Sequence, residues 1–132
     1  MRTRTKARQR AVEALFEAEQ RSVSVAEVLD RSPDVNEYAV EIAALAEAHV
    51  TRIDEILATY SQDWPSERMP AVDRAILRAA IAEMLFASHV DTAVVIAEAV
   101  ELATRLSTEE SGKFINGVLG KIAQVRDSLQ DK

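Results

Sequence analysis

The sequence predicts an all-α fold, a compact bundle of about six to seven helices arranged in two helical subdomains. Three observations support this prediction. Apolar residues recur at helical spacing along most of the chain, helix-start signals precede several of these stretches, and no stretch alternates as a strand would. Aromatic residues make up only 5% of the chain, and the common apolar residues alanine and leucine favour helices.

An apolar stripe predicts the first helix, from about Thr5 to about Arg21. We interpret Phe16 as a core residue at the end of this stripe, in preference to a residue that stacks on a ligand. The stripe consists of Ala11, Val12, Leu15 and Phe16.

Further helices are expected before residue 61. Ser24 and Glu27 have the spacing of a capping box and predict a short helix to about residue 31. The Pro-Asp pair at 33–34 interrupts the pattern. The pattern then continues to about residue 60, as one long helix or as two helices joined near His49.

The helical pattern lapses between Ser61 and Pro70, where Trp64-Pro65-Ser66 predicts a short irregular or single-turn connection. We place here the boundary between an N-terminal half, about 1–62, and a C-terminal half, about 69–127. Both halves are expected to belong to one domain that spans residues 1–132.

Three helices are predicted in the C-terminal half. Pro70 suits the first position of a helix that ends near residue 88. Asp91 or Thr92 caps the next helix. Ser107 and Glu110 have capping-box spacing and start the last one.

The last helix contains an Asn116-Gly117 pair, which on its own predicts a hairpin turn. Flanking apolar residues at helical spacing favour a helix instead. A glycine within a helix costs about 1 kcal/mol relative to alanine, so we interpret Gly117 as a buried residue against which another backbone packs. The flanking residues are Phe114, Ile115, Val118, Leu119 and Ile122.

Composition restricts the class of protein. A chain of 132 residues with 48% hydrophobic and 29% charged residues is typical of one globular domain. The absence of cysteine excludes disulfides, thiolate metal sites and cysteine nucleophiles. No apolar run approaches the roughly 20 residues that span a bilayer, and no signal peptide is recognisable. We therefore predict a cytoplasmic protein without membrane association.

Charge is distributed unevenly along the chain. The net charge is −6, yet the first ten residues hold five cations and no acid, which leaves −11 on the other residues. A basic arm on an acidic body favours one localised contact with an anion. From charge alone, an RNA-phosphate site and a solvated basic end remain equal alternatives. The five cations are Arg2, Arg4, Lys6, Arg8 and Arg10.

No constellation of catalytic or metal-binding residues is recognisable in the sequence. His49 and His89 are the only histidines, and neither has a partner at metal-ligand spacing. No nucleophile elbow and no glycine-rich phosphate loop are present. We therefore predict a binding protein that is not an enzyme and has no catalytic residues, metal or cofactor.

Single-stranded RNA is bound by cations that follow the phosphates and by planar side chains that stack on the bases. Lys113 and Phe114 would supply both if the last helix lies close to the basic arm. From spacing alone, Phe114 is more simply interpreted as a core residue.

Three segments of the chain carry a family resemblance. They are Val-Asp-Arg-Ala-Ile-Leu-Arg at 72–78, Ile-Ala-Glu-Ala-Val-Glu-Leu-Ala at 96–103 and Lys-Phe-Ile-Asn-Gly-Val-Leu at 113–119. The last is similar to the Lys-Phe-Val-Asn-Gly-Val-Leu motif in the final helix of NusB proteins, which are bacterial transcription antitermination factors. The order and distances of all three segments resemble the NusB family over nearly the whole chain.

The resemblance implies a NusB-like fold and a role in transcription antitermination. It implies binding to single-stranded boxA RNA of nascent ribosomal RNA transcripts, together with the small-subunit ribosomal protein NusE. Other Nus factors and RNA polymerase would be indirect partners. Members are monomers or dimers, so a homodimer stays open. The RNA contacts implied by position are Arg4, Lys6, Arg8, Arg10, Lys113 and Phe114. The contacts implied for the protein partner are Asp73, Arg74, Arg78 and Glu83.

Two other interpretations stay open at this point. One is a non-catalytic helical protein-interaction module that does not bind RNA. The other is a detached NusB-like domain of the kind that precedes the catalytic domain in some ribosomal RNA cytosine methyltransferases. This sequence contains no cofactor-binding domain, which counts against independent methyl transfer.

Overall fold

The computed structural model describes residues 3–31, 36–87 and 90–130, and these residues form eight α-helices and one 3₁₀ turn. The all-α prediction is confirmed. The predictions for Arg2, for the interruption at 33–34, for the helix end near residue 88 and for His89 lie outside the described residues. The helices are α1 (Thr3–Arg21), α2 (Val25–Leu29), α3 (Glu37–Ala48), α4 (Val50–Tyr60), α5 (Ala71–Phe86), α6 (Thr92–Leu106), α7 (Glu109–Gln124) and α8 (Arg126–Gln130), and the 3₁₀ turn is Ser66–Arg68.

Helix α5 lies at the centre of the bundle. It packs against α1, α3 and α4 of the N-terminal half and against α6, α7 and α8 of the C-terminal half. Apolar residues therefore surround most of its circumference, as expected for a helix that neighbours enclose. Its fully buried side chains include Ile76, Leu77, Ile81 and Met84.

A break at His49 divides the long apolar pattern into α3 and α4, which decides between the two alternatives left open by the sequence. The backbone of His49 is not helical (φ −111°, ψ 22°), although its carbonyl still accepts a hydrogen bond from Ile53 N–H at 2.9 Å. The imidazole ring stacks on Phe86 with 3.8 Å between ring centroids. This contact attaches the junction of α3 and α4 to the end of α5.

Side-chain caps define several helix starts. Ser24 Oγ accepts from Glu27 N–H at 3.2 Å, as predicted, and Asp91, one of the two residues predicted for the α6 cap, accepts from Ala93 N–H at 2.9 Å. The prediction for the last helix is wrong by one residue, because Thr108 rather than Ser107 is the N-cap and accepts from Ser111 N–H at 2.9 Å. Pro70 likewise precedes α5 and is not its first residue.

Gly117 is not buried, which contradicts the interpretation of this glycine. It lies on the exposed side of α7, and among the described residues no atom outside its own helical turn lies within 4 Å of the position that a Cβ would occupy. The close approach occurs one turn earlier, at Gly112, which is buried against Thr104 and Val100 of α6. The spacing of apolar residues predicted the helix correctly but could not indicate which glycine faces a neighbour.

Helix α8 was not predicted from the sequence. Arg126 Nε donates to the carbonyl of Met84 at 2.8 Å, and Gln130 Nε2 donates to that of Leu85 at 3.2 Å. The last carbonyls of a helix have no partner within the helix, so these two side chains satisfy the end of α5. None of the described helices combines the length and apolar character needed to cross a bilayer.

Candidate nucleic-acid interface

The first turns of α1 expose basic side chains. Arg4 and Lys6 are exposed, Arg10 is partly buried, and no acid lies in the first turn. The Arg4 guanidinium lies over the ring of Tyr38, 4.6 Å from its centroid. The attraction between a cation and an aromatic face restricts the conformations of the Arg4 side chain and leaves it charged. This end of α1 therefore presents positive charge at a defined position.

Arg8 occupies a different environment from its basic neighbours, because only 7% of it is exposed. Its Nη2 and Nε donate to Glu83 at 2.6 and 2.8 Å, and its Nη1 donates to Glu98 at 2.8 Å. Burial alone would lower the pKa of Arg8, but the hydrogen bonds and charges of these carboxylates outweigh it and raise the pKa. In this conformation the guanidinium is directed to the interior, whereas the resemblance implied a contact with RNA for Arg8.

The buried carboxylate of Glu83 also joins α3 to this network. Tyr38 Oη donates to Glu83 Oε2 at 2.5 Å. Burial and this hydrogen bond raise the pKa of Tyr38 to about 12. Thr5 Oγ1 donates to Glu98 at 2.7 Å, so α1 is also attached to α6. These polar contacts fix how α1 lies on α3, α5 and α6, and thereby the direction of its exposed cations.

Phe16 is 39% exposed, which contradicts its interpretation as a core residue. The core-facing positions of α1 are filled by alanines and Val12, and Phe16 lies beside them at the surface. It lines a groove together with Arg10, Val72 and Leu106, of which Leu106 is 37% exposed. The groove combines a cation with an accessible aromatic ring, and it is also lined by Glu13 and Glu17, of which Glu13 is paired with Arg10 at 3.7 Å.

Lys113 and Phe114 lie in another groove, between α7 and the end of α4. Lys113 is exposed, and Phe114 is partly buried with its ring against the edge of Trp64 at a centroid distance of 4.8 Å. The same groove is lined by Tyr60 and Lys121. We call it the α7 groove.

Two of the residues suggested for a protein partner are internal. Asp73 and Glu83 are 0% and 1% exposed. Ser111 Oγ donates to Asp73 Oδ2 at 2.6 Å, which attaches the start of α7 to the start of α5. In this conformation neither carboxylate reaches the surface, because α5 is enclosed by its neighbours. The resemblance implied contacts with a protein partner for both residues, whereas both are internal in this conformation.

Arg74 and Arg78 lie at the surface of α5 and are only partly buried. Arg74 Nε donates to Glu19 at 3.0 Å, and Arg78 donates to Glu19 at 2.7 Å and to Asp54 at 2.8 Å. The hydrogen bonds of Arg74 and Arg78 lower the pKa of Glu19, although burial opposes this change. These pairs connect α1, α5 and α4.

Comparisons with known proteins agree with this architecture. A sequence profile of the NusB family matches residues 5–124. Among curated proteins, the transcription antitermination protein NusB of Kineococcus radiotolerans is 49% identical over 134 aligned residues, which cover 98% of each chain. NusB of Arthrobacter sp. is also 49% identical, with the same coverage.

Solved structures show the same fold. A structure of T. maritima NusB has a TM-score of 0.85 and 32% identity, and the match covers 100% of both chains. A structure of the antitermination factors NusB and NusE in complex with double-stranded RNA has a TM-score of 0.82 and 29% identity, covering 95% of this chain and 98% of the other. On the strength of the matched profile, the curated relatives and the shared fold, this chain belongs to the NusB family.

Proposed function

We propose that this protein is a transcription antitermination factor that binds single-stranded boxA RNA of nascent ribosomal RNA transcripts together with the ribosomal protein NusE. Its place of action would be the cytoplasm, where transcripts are made. The observation that carries the proposal is the basic end of α1, where Arg4 and Lys6 are exposed, with the exposed ring of Phe16 further along the same helix. The family relationship and the relative solved with NusE and RNA support it.

Binding would depend on position and charge, without a chemical step. Arg4, Lys6 and Arg10 would attract the phosphates, and Phe16 would stack on a base. Lys113 and Phe114 would form a second contact on α7. Arg8 would act indirectly, because its pairs with Glu83 and Glu98 hold α1 in place.

The protein partner would approach the side of α5 where Arg74 and Arg78 reach the surface. Glu19 and Asp54 lie beside them and are paired with these arginines. Of the residues first suggested for this contact, Arg74 and Arg78 remain in the proposal. Asp73 and Glu83 would support it from the interior.

Salt dependence of RNA binding tests the basic end of α1. Each phosphate contact contributes about −0.7 to the slope of log affinity against log salt for single strands, so an Arg4→Ala/Lys6→Ala variant should show a slope shallower by about 1.4. Fluorescence anisotropy with labelled boxA RNA, with and without NusE, measures this. Arg8 is unsuitable for the test because its removal would leave the buried carboxylate of Glu83 without its cationic partner.

The matched control is Arg31→Ala/Arg52→Ala, which removes the same charge from α4 and from the segment after α2 and should leave the slope unchanged.

Phe16→Ala should weaken binding by about 1–3 kcal/mol, the usual loss of one base-stacking contact, with an unchanged slope. If the wild type binds NusE but no RNA, the interaction-module interpretation replaces this one. A preference for duplex over single-stranded boxA would contradict the proposed RNA form.

A further inference from the structure

The exposed face of α7 contains a glycine that the protein's own packing does not explain. Gly117 is in the middle of α7, where glycine costs about 1 kcal/mol relative to alanine. Gly112, in the same helix, has a reason to be glycine, because a Cβ there would lie 2.6 Å from Thr104 Oγ1. At Gly117 a Cβ would meet no atom within 4 Å. Gly120 is equally open, but Gly117 lies in the α7 groove, so a side chain at 117 would extend into that groove.

Two lysines lie on either side of this glycine on one face of the helix. Lys113, Gly117 and Lys121 are four residues apart, a spacing that aligns side chains along a helix, and all three line the α7 groove. The two lysines are both exposed and are separated by about 12 Å along the helix axis. The groove also contains one acid, Asp63, so the lysines leave it positively charged overall.

Aromatic rings complete the groove. Tyr60 and Phe114 line it, and each is partly exposed. The Phe114 ring makes a T-shaped contact with Trp64 at a centroid distance of 4.8 Å. A positively charged groove with aromatic side chains is the usual arrangement for single-stranded nucleic acid, because every base has a face that can stack. An acidic peptide would use the lysines but would have less need of the rings.

We propose that the α7 groove is an extension of the RNA site, in which nucleotides beyond the boxA element pass along α7. One phosphate lies at Lys121, and the strand crosses the helix backbone at Gly117, where a side chain would block it. Tyr60 provides a stacking surface for these nucleotides, next to the Phe114 contact of the proposed function. The groove begins at Lys113 and Phe114, so it is continuous with the α7 contact in the proposed function, on which this inference rests.

The test compares minimal boxA RNA with boxA extended by a run of uridines at the 5′ or at the 3′ end. Wild-type protein, with NusE present, should bind one of the extended RNAs more tightly than the minimal RNA. Gly117→Gln, which places a side chain in the groove, should remove this gain, so that the variant binds extended and minimal RNA equally well. Lys121→Ala should make the salt slope for the extended RNA shallower by about 0.7.

Gly120→Gln is the matched control, because Gly120 is in the same helix, also has open space at its Cβ position, and is not part of the groove. Glutamine is a better helix former than glycine, so both variants should fold. The amide signal of Gly117 gives an independent measurement by NMR, and it should shift with the extended RNA but not with the minimal RNA.

Two results would overturn the inference while leaving the proposed function intact. The first is an extended RNA that binds wild type and Gly117→Gln equally well. The second is a Gly117 amide that shifts with a polyglutamate peptide and not with extended RNA, which would assign the groove to an acidic protein segment. Failure of the wild type to bind minimal boxA RNA would instead contradict the proposed function itself.

Discussion

At the scale of single residues, Tyr38 has the most informative side chain for the buried network. Its hydroxyl donates to a carboxylate that already accepts from Arg8, and its ring lies under Arg4. Ionisation of the phenol would put a second negative charge beside Glu83 in a partly buried position. This is why burial and Glu83 raise the pKa of Tyr38 to about 12.

We expect ionisation of Tyr38 at alkaline pH to reduce the free energy of unfolding. A tyrosine has an unfolded pKa near 10, so a folded pKa of about 12 stabilises the protein fully below pH 10, and this contribution is lost between about pH 10 and 12. The loss should reach about 2 kcal/mol, measured by denaturant unfolding at increasing pH, and it should be absent in Tyr38→Phe. In a Tyr60→Phe background Tyr38 is the only tyrosine, and its phenolate absorbance should appear near pH 12. Titration near pH 10 would show that the hydrogen bond to Glu83 does not persist in solution.

At the scale of helices, the contact between α6 and α7 depends on one small residue. Gly112 faces Thr104, whose hydroxyl donates to the carbonyl of Val100 at 3.0 Å. A Cβ at position 112 would require Thr104 to rotate and give up that hydrogen bond. The close packing of the two helices therefore needs glycine at 112, whereas Gly117 and Gly120 face open space.

A double-mutant cycle should detect this contact. Gly112→Ala gains about 1 kcal/mol of helix propensity, but in the wild type it must displace Thr104. In a Thr104→Ala background the displacement is unnecessary, so the same substitution should be more favourable by about 1 kcal/mol. Chemical denaturation of the four proteins measures the coupling. The effect of Gly120→Ala on the free energy of unfolding should be the same with threonine or alanine at 104. If Gly112→Ala also shows no coupling to residue 104, α6 and α7 can move apart without a free-energy cost.

At the scale of the whole molecule, surface charge pairs connect the helices that α5 brings together. Glu19 of α1 accepts hydrogen bonds from Arg74 and Arg78 of α5, and Arg78 also donates to Asp54 of α4. Burial alone would lower the pKa of Arg78, but the pairs with Asp54 and Glu19 outweigh it and raise the pKa. Because the cluster joins three helices, we expect it to contribute more to the free energy of unfolding than an isolated surface pair does.

Acid titration should reveal the contribution of Glu19. Its folded pKa is lowered, so the stabilisation is present above its unfolded pKa of about 4.5 and is lost as the pH falls through the folded value. Glu19→Gln should reduce the free energy of unfolding by about 1 kcal/mol at neutral pH and make its decline at low pH shallower. Glu17→Gln is the control, since Glu17 pairs with Arg21 of the same helix at the surface and its loss should change stability by a few tenths of a kcal/mol. Equal effects of the two substitutions would assign no special role to the cluster.

The sequence by itself determined the fold class, most helix bounds and the family. These properties depend on local spacing and capping, and the starts of α2 and α6 show this, since Ser24 and Asp91 cap them as predicted. The resemblance at 72–78, 96–103 and 113–119 depends on residue identity and order alone. Local signals misplaced the starts of α7 and α5 by one residue, at Thr108 and Pro70.

Only the tertiary structure decided which side chains face inward and which partners they have. Arg8 looked like its basic neighbours in the sequence, but Glu83 and Glu98, on helices distant in the chain, place it in the interior. Phe16 and Gly117 looked buried because they occur within apolar patterns, yet both lie at the surface. The physical reason is that helical spacing gives the direction of a side chain around its own axis, whereas burial and pairing depend on what the rest of the chain brings to that side.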